Sequence, residues 1–189
     1  MLAGCSPSEN SDMLSIVSRS DWGSVPAEHD SQKHTIKYIT IHHGGVLFTE
    51  DKSSAQYLID LQSWSRTEKK WIDIPYHFAM DLEGIIYQAR PVDYPGDTNT
   101  EYDPSGHLLI CILGNYEEQE LNQKQFDVLV NFLAHFSQKY NLTVDKIKSH
   151  KDYAETACPG QNIYKFLEDG SLIAAVQKRI KKDSTTLNK

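Results

Sequence analysis

Residues 147 to 160, with the sequence IKSHKDYAETACPG, constrain the fold most, because His150 and Cys158 flank a short polar loop. The two residues are too far apart to share one face of a helix, whereas a loop turns both side chains toward one ion. An imidazole nitrogen and a thiolate sulfur are donors that zinc prefers. Two ligands do not complete a site. The chain must therefore fold so that a third donor reaches this loop, and the candidate is the pair His42-His43.

The His42-His43 pair ends an apolar run that has the composition of a buried strand. Residues 36 to 42, IKYITIH, are rich in β-branched and aromatic side chains, which favours a central strand. Successive side chains of a strand point to opposite faces of the sheet. Regular strand geometry therefore lets only one of the two histidines reach a given metal ion, and the other packs or binds something else.

The remaining pattern predicts strands and helices in alternation, which is typical of an α/β domain. Runs rich in β-branched residues predict strands, and N-capping residues followed by apolar side chains at helical spacing predict helices. Further strands are predicted at residues 76–80, 85–89, 108–113 and 147–149, and helices at residues 54–65, 123–136, 162–168 and 172–180. His135 lies off the apolar stripe of its helix and is predicted to be exposed. The long polar loop at residues 91 to 106 is of a kind that is often functional.

The composition excludes several classes of protein. A length of 189 residues fits a single domain with an interior core. The formal net charge of −7 argues against nucleic-acid binding, because phosphates require a basic surface. No apolar run approaches the roughly 20 residues that cross a bilayer. The 3 cysteines exclude a disulfide framework, and Cys111, inside an apolar run, is predicted to be a small buried side chain.

The first five residues, MLAGC, have the form of a bacterial lipoprotein cleavage box and precede a polar segment. This likeness implies export, a lipid anchor through Cys5 and a place in the cell envelope as a periplasmic lipoprotein. We expect residues 1–15 to comprise the remnant of the cleavage box and a flexible tail. Residues 16–182 are then the folded domain, and residues 183–189 a C-terminal tail.

Three nitrogen and sulfur donors with an open fourth position are typical of a catalytic zinc site rather than a structural one. The open position takes a water molecule or a substrate oxygen. Zinc lowers the pKa of that water to near 7 and polarises a carbonyl group. The polar residues at the predicted strand ends, among them Tyr76 and His77, would surround such an ion.

Five segments resemble, in order and separation, the type 2 N-acetylmuramoyl-L-alanine amidases, a family that includes the phage-lysozyme-type amidases and the peptidoglycan recognition proteins. The segments are SRSDWG, ITIHHG, WIDIPYHFAMDLEGIIYQARP, LLICILGNYE and IKSHKDYAETACPG, and the resemblance covers about residues 16 to 168. The family cleaves the amide bond between the lactyl group of N-acetylmuramic acid and L-alanine. The resemblance implies a single domain with a mixed central β-sheet, flanked by helices, and a zinc-centred surface groove.

The resemblance also assigns roles to individual residues. The Zn²⁺ ligands would be His42, His150 and Cys158, since the first histidine of the family's pair is the ligand. Tyr76 matches a tyrosine whose hydroxyl acts on the attacking water or the developing oxyanion. Thr156 stands where some members have lysine and others threonine, and its hydroxyl would donate a hydrogen bond to the tetrahedral intermediate.

The substrate groove is predicted to involve His43, Trp71, His77 and Asp97, with Asp73 as a further candidate for shaping it. Trp71, Asp73 and His77 are equally compatible with a structural role. Two positions depart from the family pattern. Pro75 replaces the glycine that commonly precedes the tyrosine, and Asp97 stands where a histidine is frequent. The metal-binding segments contain no glutamate to serve as the general base, so the base is not assigned.

Two alternatives to a secreted amidase stay open. One is a non-catalytic peptidoglycan-binding module on the same scaffold. Such recognition proteins typically lack the zinc cysteine, so the presence of Cys158 favours the enzyme. The other is a cytoplasmic amidase that recycles anhydro-muropeptides, against which the cleavage box at Cys5 argues. Each reading has peptidoglycan or a muropeptide as its ligand.

Overall fold

The computed structural model of the protein describes residues 14–26 and 33–186. In these residues six β-strands form one mixed sheet, which four α-helices cover. The strands are β1 (Ile16–Val17), β2 (Tyr38–His43), β3 (Phe78–Met80), β4 (Ile86–Gln88), β5 (His107–Ile112) and β6 (Ile147–Ser149). The helices are α1 (Ser54–Thr67), α2 (Gln123–Lys139), α3 (Gln161–Glu168) and α4 (Ser171–Thr186). The predicted α/β class, with a mixed central sheet flanked by helices, is confirmed.

The strand order of the sheet is β1-β4-β3-β5-β2-β6. β3 and β4 form an antiparallel hairpin, and every other neighbouring pair is parallel. β2, β5 and β6 therefore run in the same direction, and their carboxyl ends meet at one edge. Ligand sites of open α/β sheets lie outside the carboxyl ends of the strands. The predicted metal ligands belong to this edge.

Apolar side chains form one cluster on each face of the sheet. The larger cluster lies between the sheet and helices α2, α3 and α4, and it includes Ile41, Ile110 and Phe132. The smaller cluster lies under α1 and includes Leu58 and Cys111. Cys111 is 1% exposed, which confirms that it is a buried side chain.

Helix α2 begins with the capping box that its sequence predicts. The Asn122 side chain accepts a hydrogen bond from the Gln125 N–H at 2.8 Å, and the Gln125 side chain accepts one from the Asn122 N–H at 3.2 Å. The box satisfies two backbone donors at the helix start. Gln125 is buried and also donates to the Tyr116 hydroxyl at 2.7 Å, which ties the helix to the segment after β5. His135 is exposed, as predicted.

The N-terminal segment contributes a short edge strand, β1, that the sequence pattern did not reveal. Trp22 is 2% exposed and donates its Nε1–H to the Gln88 carbonyl at 2.7 Å. The Arg19 guanidinium pairs with the buried Asp73 carboxylate at 2.9 Å. These two contacts anchor the segment to the domain.

One predicted boundary differs from the structure, and one predicted site lies outside the described residues. Helix α4 continues to Thr186, so residues 183–186 are helical and do not begin a tail. Cys5 lies outside the described residues, and its lipidation stays a prediction. Among the residues that the structure describes, no helix combines the length and the apolar character needed to cross a bilayer.

The aromatic core beneath α2 generates the first prediction. Phe132 is fully buried, and its ring centroid lies 5.1 Å from that of Phe78 and 4.5 Å from that of Phe136. We expect Phe132→Ala to lower the free energy of unfolding by about 3–5 kcal/mol, because it leaves a cavity. Urea denaturation measures the change. The exposed control on the same helix, His135→Ala, should stay within about 0.5 kcal/mol of wild type. Equal stability of the two variants would contradict this packing.

Candidate metal centre and cleft

The three predicted zinc ligands lie together at the carboxyl ends of β2 and β6. His42, His150 and Cys158 are buried, and their ligand atoms lie within 4.8 Å of one another. The Cys158 Sγ is 3.6 Å from the His42 Nδ1. The ring centroids of His42 and His150 are 4.7 Å apart. These side chains are close enough to bind one metal ion together.

The register of the sheet places both histidines. β2 pairs with β6 so that Ile41 stands opposite Ser149. The next residue of β2, His42, and the residue that follows β6, His150, therefore lie at the same level of the sheet. His43 is not part of the cluster, as strand alternation predicts.

Cys158 reaches the site through the loop that follows β6. The Thr156 hydroxyl accepts a hydrogen bond from the Cys158 N–H at 3.1 Å, and the His43 N–H points at the Cys158 Sγ at 3.4 Å. Gly160 has a φ of +87° and lies against Tyr116, where a Cβ atom would overlap the Tyr116 backbone. Glycine at this position thus lets the loop pack closely enough to deliver the thiol.

The donor set fits a zinc ion. Tetrahedral zinc holds a nitrogen and a sulfur ligand about 3.6 Å apart, and the His42 Nδ1–Cys158 Sγ distance of 3.6 Å agrees. Burial, and then the charge of His150, lower the pKa of His42 well below its usual value, while burial lowers the pKa of His150 to about 4. Both imidazoles are therefore neutral at pH 7. Burial raises the pKa of the Cys158 thiol to about 12, and a dication would favour its thiolate.

Two hydroxyl groups of the loop at residues 91 to 106 contact the ligand histidines. The Thr100 Oγ1 is 2.7 Å from the His150 Nε2, and the Tyr102 hydroxyl is 3.3 Å from the His42 Nε2. The length and polarity of this loop are typical of functional loops, but neither Thr100 nor Tyr102 was predicted to contact a ligand. The signal available was the length and polarity of the loop, which does not show where a given side chain lies.

A cleft of about 310 Å³ opens beside the metal ligands. Its polar wall consists of residues 97–100. Its apolar end is lined by Tyr57, Leu61, Trp64 and Trp71. The rings of Trp64 and Trp71 meet edge to face with centroids 6.0 Å apart, and the Lys69 ammonium lies 5.3 Å from the Trp64 ring centroid. Trp71 lines the cleft, and its predicted contact with substrate stays a prediction, whereas Trp64 was not predicted.

Both predicted catalytic side chains line this cleft. The Tyr76 ring centroid is 5.2 Å from that of His42. Burial raises the pKa of Tyr76 well above its usual value, so the phenol is a neutral donor at pH 7. Thr156 is half-buried in the loop that carries Cys158. Tyr76 and Thr156 thus share one cleft with the metal ligands.

His43 and Asp97 also line the cleft, and each has a partner within the protein. The His43 Nδ1 accepts the Tyr116 N–H at 3.1 Å. The Asp97 carboxylate pairs with the Arg90 guanidinium. Their predicted contact with substrate is compatible with these positions and stays a prediction.

His77 and Asp73 do not line the cleft, and their burial favours the structural role that the sequence left open beside a place in the substrate groove. His77 is fully buried. Its Nε2 bonds to the Tyr94 carbonyl and its Nδ1 accepts the Leu109 N–H, both at 2.9 Å. No ring nitrogen is left for a substrate. Asp73 is equally buried and accepts a hydrogen bond from the Gln62 side chain at 2.7 Å.

Arg90 is a buried cation that sequence analysis missed. It is 1% exposed. Its guanidinium donates to the carbonyls of Ile74, Asp73 and Pro95, in addition to its ion pair with Asp97. One side chain therefore ties the segment before Tyr76 to the start of the polar loop.

Comparison with known proteins gives concordant results. Residues 32–161 match the N-acetylmuramoyl-L-alanine amidase family. Mouse peptidoglycan recognition protein 1 is 26% identical over 157 residues, covering 81% of this chain and 86% of the mouse protein. The crystal structure of Drosophila peptidoglycan recognition protein SD has a TM-score of 0.74 at 24% identity, covering 82% of this chain and 94% of that one. The N-acetylmuramoyl-L-alanine amidase LysC from Clostridium intestinale has a TM-score of 0.63 at 25% identity, covering 79% of this chain and 91% of that one.

The family match and the relatives place this fold in a class of proteins with peptidoglycan-related functions. Within that class, the chain belongs to the N-acetylmuramoyl-L-alanine amidase family, which confirms the resemblance. The relatives include proteins named as amidases and proteins named as recognition proteins. The choice between cleavage and binding therefore depends on the chemistry of this site.

The buried histidines generate a prediction about stability in acid. Burial lowers the pKa of His77 to about 3 and of His107 to about 4, from an ordinary value of 6.5. At any pH between its pKa in the folded protein and 6.5, each of these histidines binds a proton in the unfolded chain but not in the folded chain. The free energy of unfolding should therefore decrease as the pH falls below 6.5. Each such group contributes up to about 1.4 kcal/mol per pH unit, which urea denaturation between pH 7.5 and pH 4.5 measures.

A variant assigns part of this slope to His77. In His77→Gln the free energy of unfolding should depend less steeply on pH below pH 6, because about one proton fewer is taken up on unfolding. This change in slope does not depend on the variant's absolute stability. His135→Gln, which removes an exposed histidine, should change the slope less. An unchanged slope in His77→Gln would show that His77 is protonated in the folded protein, contrary to its two hydrogen bonds.

Proposed function

We propose that the protein is a zinc-dependent amidase that hydrolyses the bond between the lactyl group of N-acetylmuramic acid and L-alanine in peptidoglycan or muropeptides. The observation that carries this proposal is the burial of two imidazoles and one thiol within 4.8 Å, beside the cleft that Tyr76 and Thr156 line. A module that only binds its ligand has no need for buried metal donors at the cleft. The presence of Cys158 also favours cleavage, because non-catalytic members of the family typically lack this cysteine.

The metal ligands would be His42 Nδ1, the Cys158 thiolate and one ring nitrogen of His150. Zinc at this position supplies a Lewis acid that polarises the scissile carbonyl and makes water a stronger nucleophile near neutral pH. The neutral state of both histidines leaves their lone pairs available at pH 7.

Tyr76 would act as a hydrogen-bond donor to the oxygen on which negative charge develops. Its phenol is neutral at pH 7, so it donates a proton in a hydrogen bond and does not serve as the base. Its ring lies against His42, which places it beside the metal ligands. The one carboxylate among the described residues of the cleft wall, Asp97, pairs with Arg90, and we therefore do not assign it as the base.

Thr156 would contribute a second donor. Its oxygen already accepts the Cys158 N–H at 3.1 Å, which orients the hydroxyl and leaves its hydrogen free to point into the cleft. A neutral hydroxyl stabilises an oxyanion less than the lysine of other members does, because it brings no charge. The two donors are held on different elements, one before β3 and one in the loop after β6.

The central experiment measures zinc content and hydrolysis in the same preparation. We expect the wild-type protein to hold about one zinc by elemental analysis and to release stem peptides with a free L-alanine amine from muropeptides, detected by mass spectrometry. Cys158→Ser should lose both the zinc and the hydrolysis. Cys111→Ala, which removes the other described thiol, should keep its zinc, because Cys111 is not part of the ligand cluster.

The same experiment decides against the proposal if zinc-loaded protein leaves muropeptides intact. Retention of intact muropeptides on the immobilised protein would then identify a recognition module. Comparing intact muropeptides with anhydro-muropeptides in the digest separates an amidase of the wall from one that recycles its fragments.

Two variants test the proposed donors. Tyr76→Phe should lower kcat by about 10²–10³-fold with little change in KM, since the hydroxyl acts on charge that develops in the transition state. Thr156→Val should lower kcat in the same direction. Zinc content should stay at the wild-type level in Tyr76→Phe, because Tyr76 is not a ligand. A wild-type kcat in Tyr76→Phe would exclude the assigned role.

A further inference from the structure

Tyr102 contacts a metal ligand without entering the cleft. Its hydroxyl is 3.3 Å from the His42 Nε2, and the other ring nitrogen, Nδ1, is 3.6 Å from the Cys158 Sγ. His42 therefore directs one nitrogen toward its fellow ligand and the other toward Tyr102. The described residues that line the cleft do not include Tyr102. Tyr102 thus touches the metal centre through His42 rather than through the substrate.

The protonation chemistry of histidine gives this contact a consequence. A ring nitrogen that binds a metal ion offers its lone pair, so in a neutral imidazole the proton resides on the other nitrogen. For His42 the nitrogen near the thiol is Nδ1, and the proton must then reside on Nε2. A buried N–H group requires an acceptor. The Tyr102 oxygen is in position to be that acceptor.

Packing holds Tyr102 in this position. Its ring stacks on Tyr153, with centroids 5.6 Å apart and an interplanar angle of 20°, and it meets the His107 ring at 5.4 Å. Two neighbouring rings therefore fix the direction of the Tyr102 side chain. The hydroxyl does not depend on a bound substrate to reach His42.

We propose that Tyr102 is a positioning residue that selects the Nε2-protonated tautomer of His42 and thereby presents Nδ1 to the metal ion. The inference rests on the proposed function, because it takes His42, His150 and Cys158 as the metal ligands. It adds a residue that the family resemblance did not assign. Partners of this kind orient the ligand ring and increase metal affinity.

Thr100 makes a similar contact, but it is less suited to a test. Its Oγ1 is 2.7 Å from the His150 Nε2. Thr100 also lines the cleft, so its replacement would change substrate contacts together with any effect on the metal. Tyr102 contacts His42 but is not among the described residues that line the cleft, so its replacement changes the metal ligand's contact and leaves the cleft lining as it is.

The test replaces Tyr102 by phenylalanine, which keeps the stacked ring and removes the oxygen. We expect Tyr102→Phe to bind zinc about 10–100-fold more weakly than wild type, measured by competition with a chelator of known affinity. The matched control is Tyr153→Phe. It removes the hydroxyl of the neighbouring ring, which bonds to Thr40 rather than to a metal ligand, and it should keep the wild-type zinc affinity.

A second readout does not depend on zinc or on catalysis. Long-range ¹H–¹⁵N correlation spectra of the metal-free protein report the tautomer of His42. Wild type and Tyr153→Phe should show the Nε2-protonated form, and Tyr102→Phe a mixture of both forms. Equal zinc affinity and the same tautomer in wild type and Tyr102→Phe would overturn the inference and leave the proposed hydrolysis intact. Absence of zinc from the wild-type protein would overturn both.

Discussion

The parallel pairing of β2 with β6 is the contact on which the metal centre depends. Within this ladder Ile39 stands opposite Ile147, and both side chains are buried in the larger apolar cluster. A shift of one residue would turn these side chains to the opposite face, so their burial fixes the register. The same register places His42 beside His150. The apolar burial that stabilises the sheet therefore also sets the separation of two ligands that lie far apart in the chain.

A second constraint is the burial of charge next to the cleft. A buried guanidinium is costly unless its donors are satisfied, and Arg90 meets this condition with backbone carbonyls on one side and Asp97 on the other. Asp73, whose carbonyl Arg90 also binds, carries a carboxylate that pairs with Arg19. The buried Arg90 and the partly buried Arg19 thus connect the N-terminal segment, the approach to Tyr76 and the polar wall of the cleft.

The sequence pattern predicted the elements of the sheet and its flanking helices, because apolar periodicity follows directly from which faces are buried. It identified His150 and Cys158 as a pair, and strand alternation required a choice between His42 and His43, which the family resemblance made. The pattern left His77 open between the substrate groove and a structural role, because His77 adjoins Tyr76 in the chain. Neighbouring residues of an extended segment point in opposite directions, and here the second is turned into the core.

The loop at residues 91 to 106 could be recognised from its length, but its side chains could not be placed, since an irregular backbone has no period from which to infer direction. The structure explains its departure from the family pattern at Asp97. This carboxylate is the counter-ion of Arg90, and its side chain is 30% exposed, so it neutralises a buried charge while still facing the cleft. The same loop carries Thr100 and Tyr102 to the ligand histidines. The loop that shapes the polar wall of the cleft therefore also contacts the metal ligands. A change in this loop would alter both the cleft wall and the orientation of the ligand histidines.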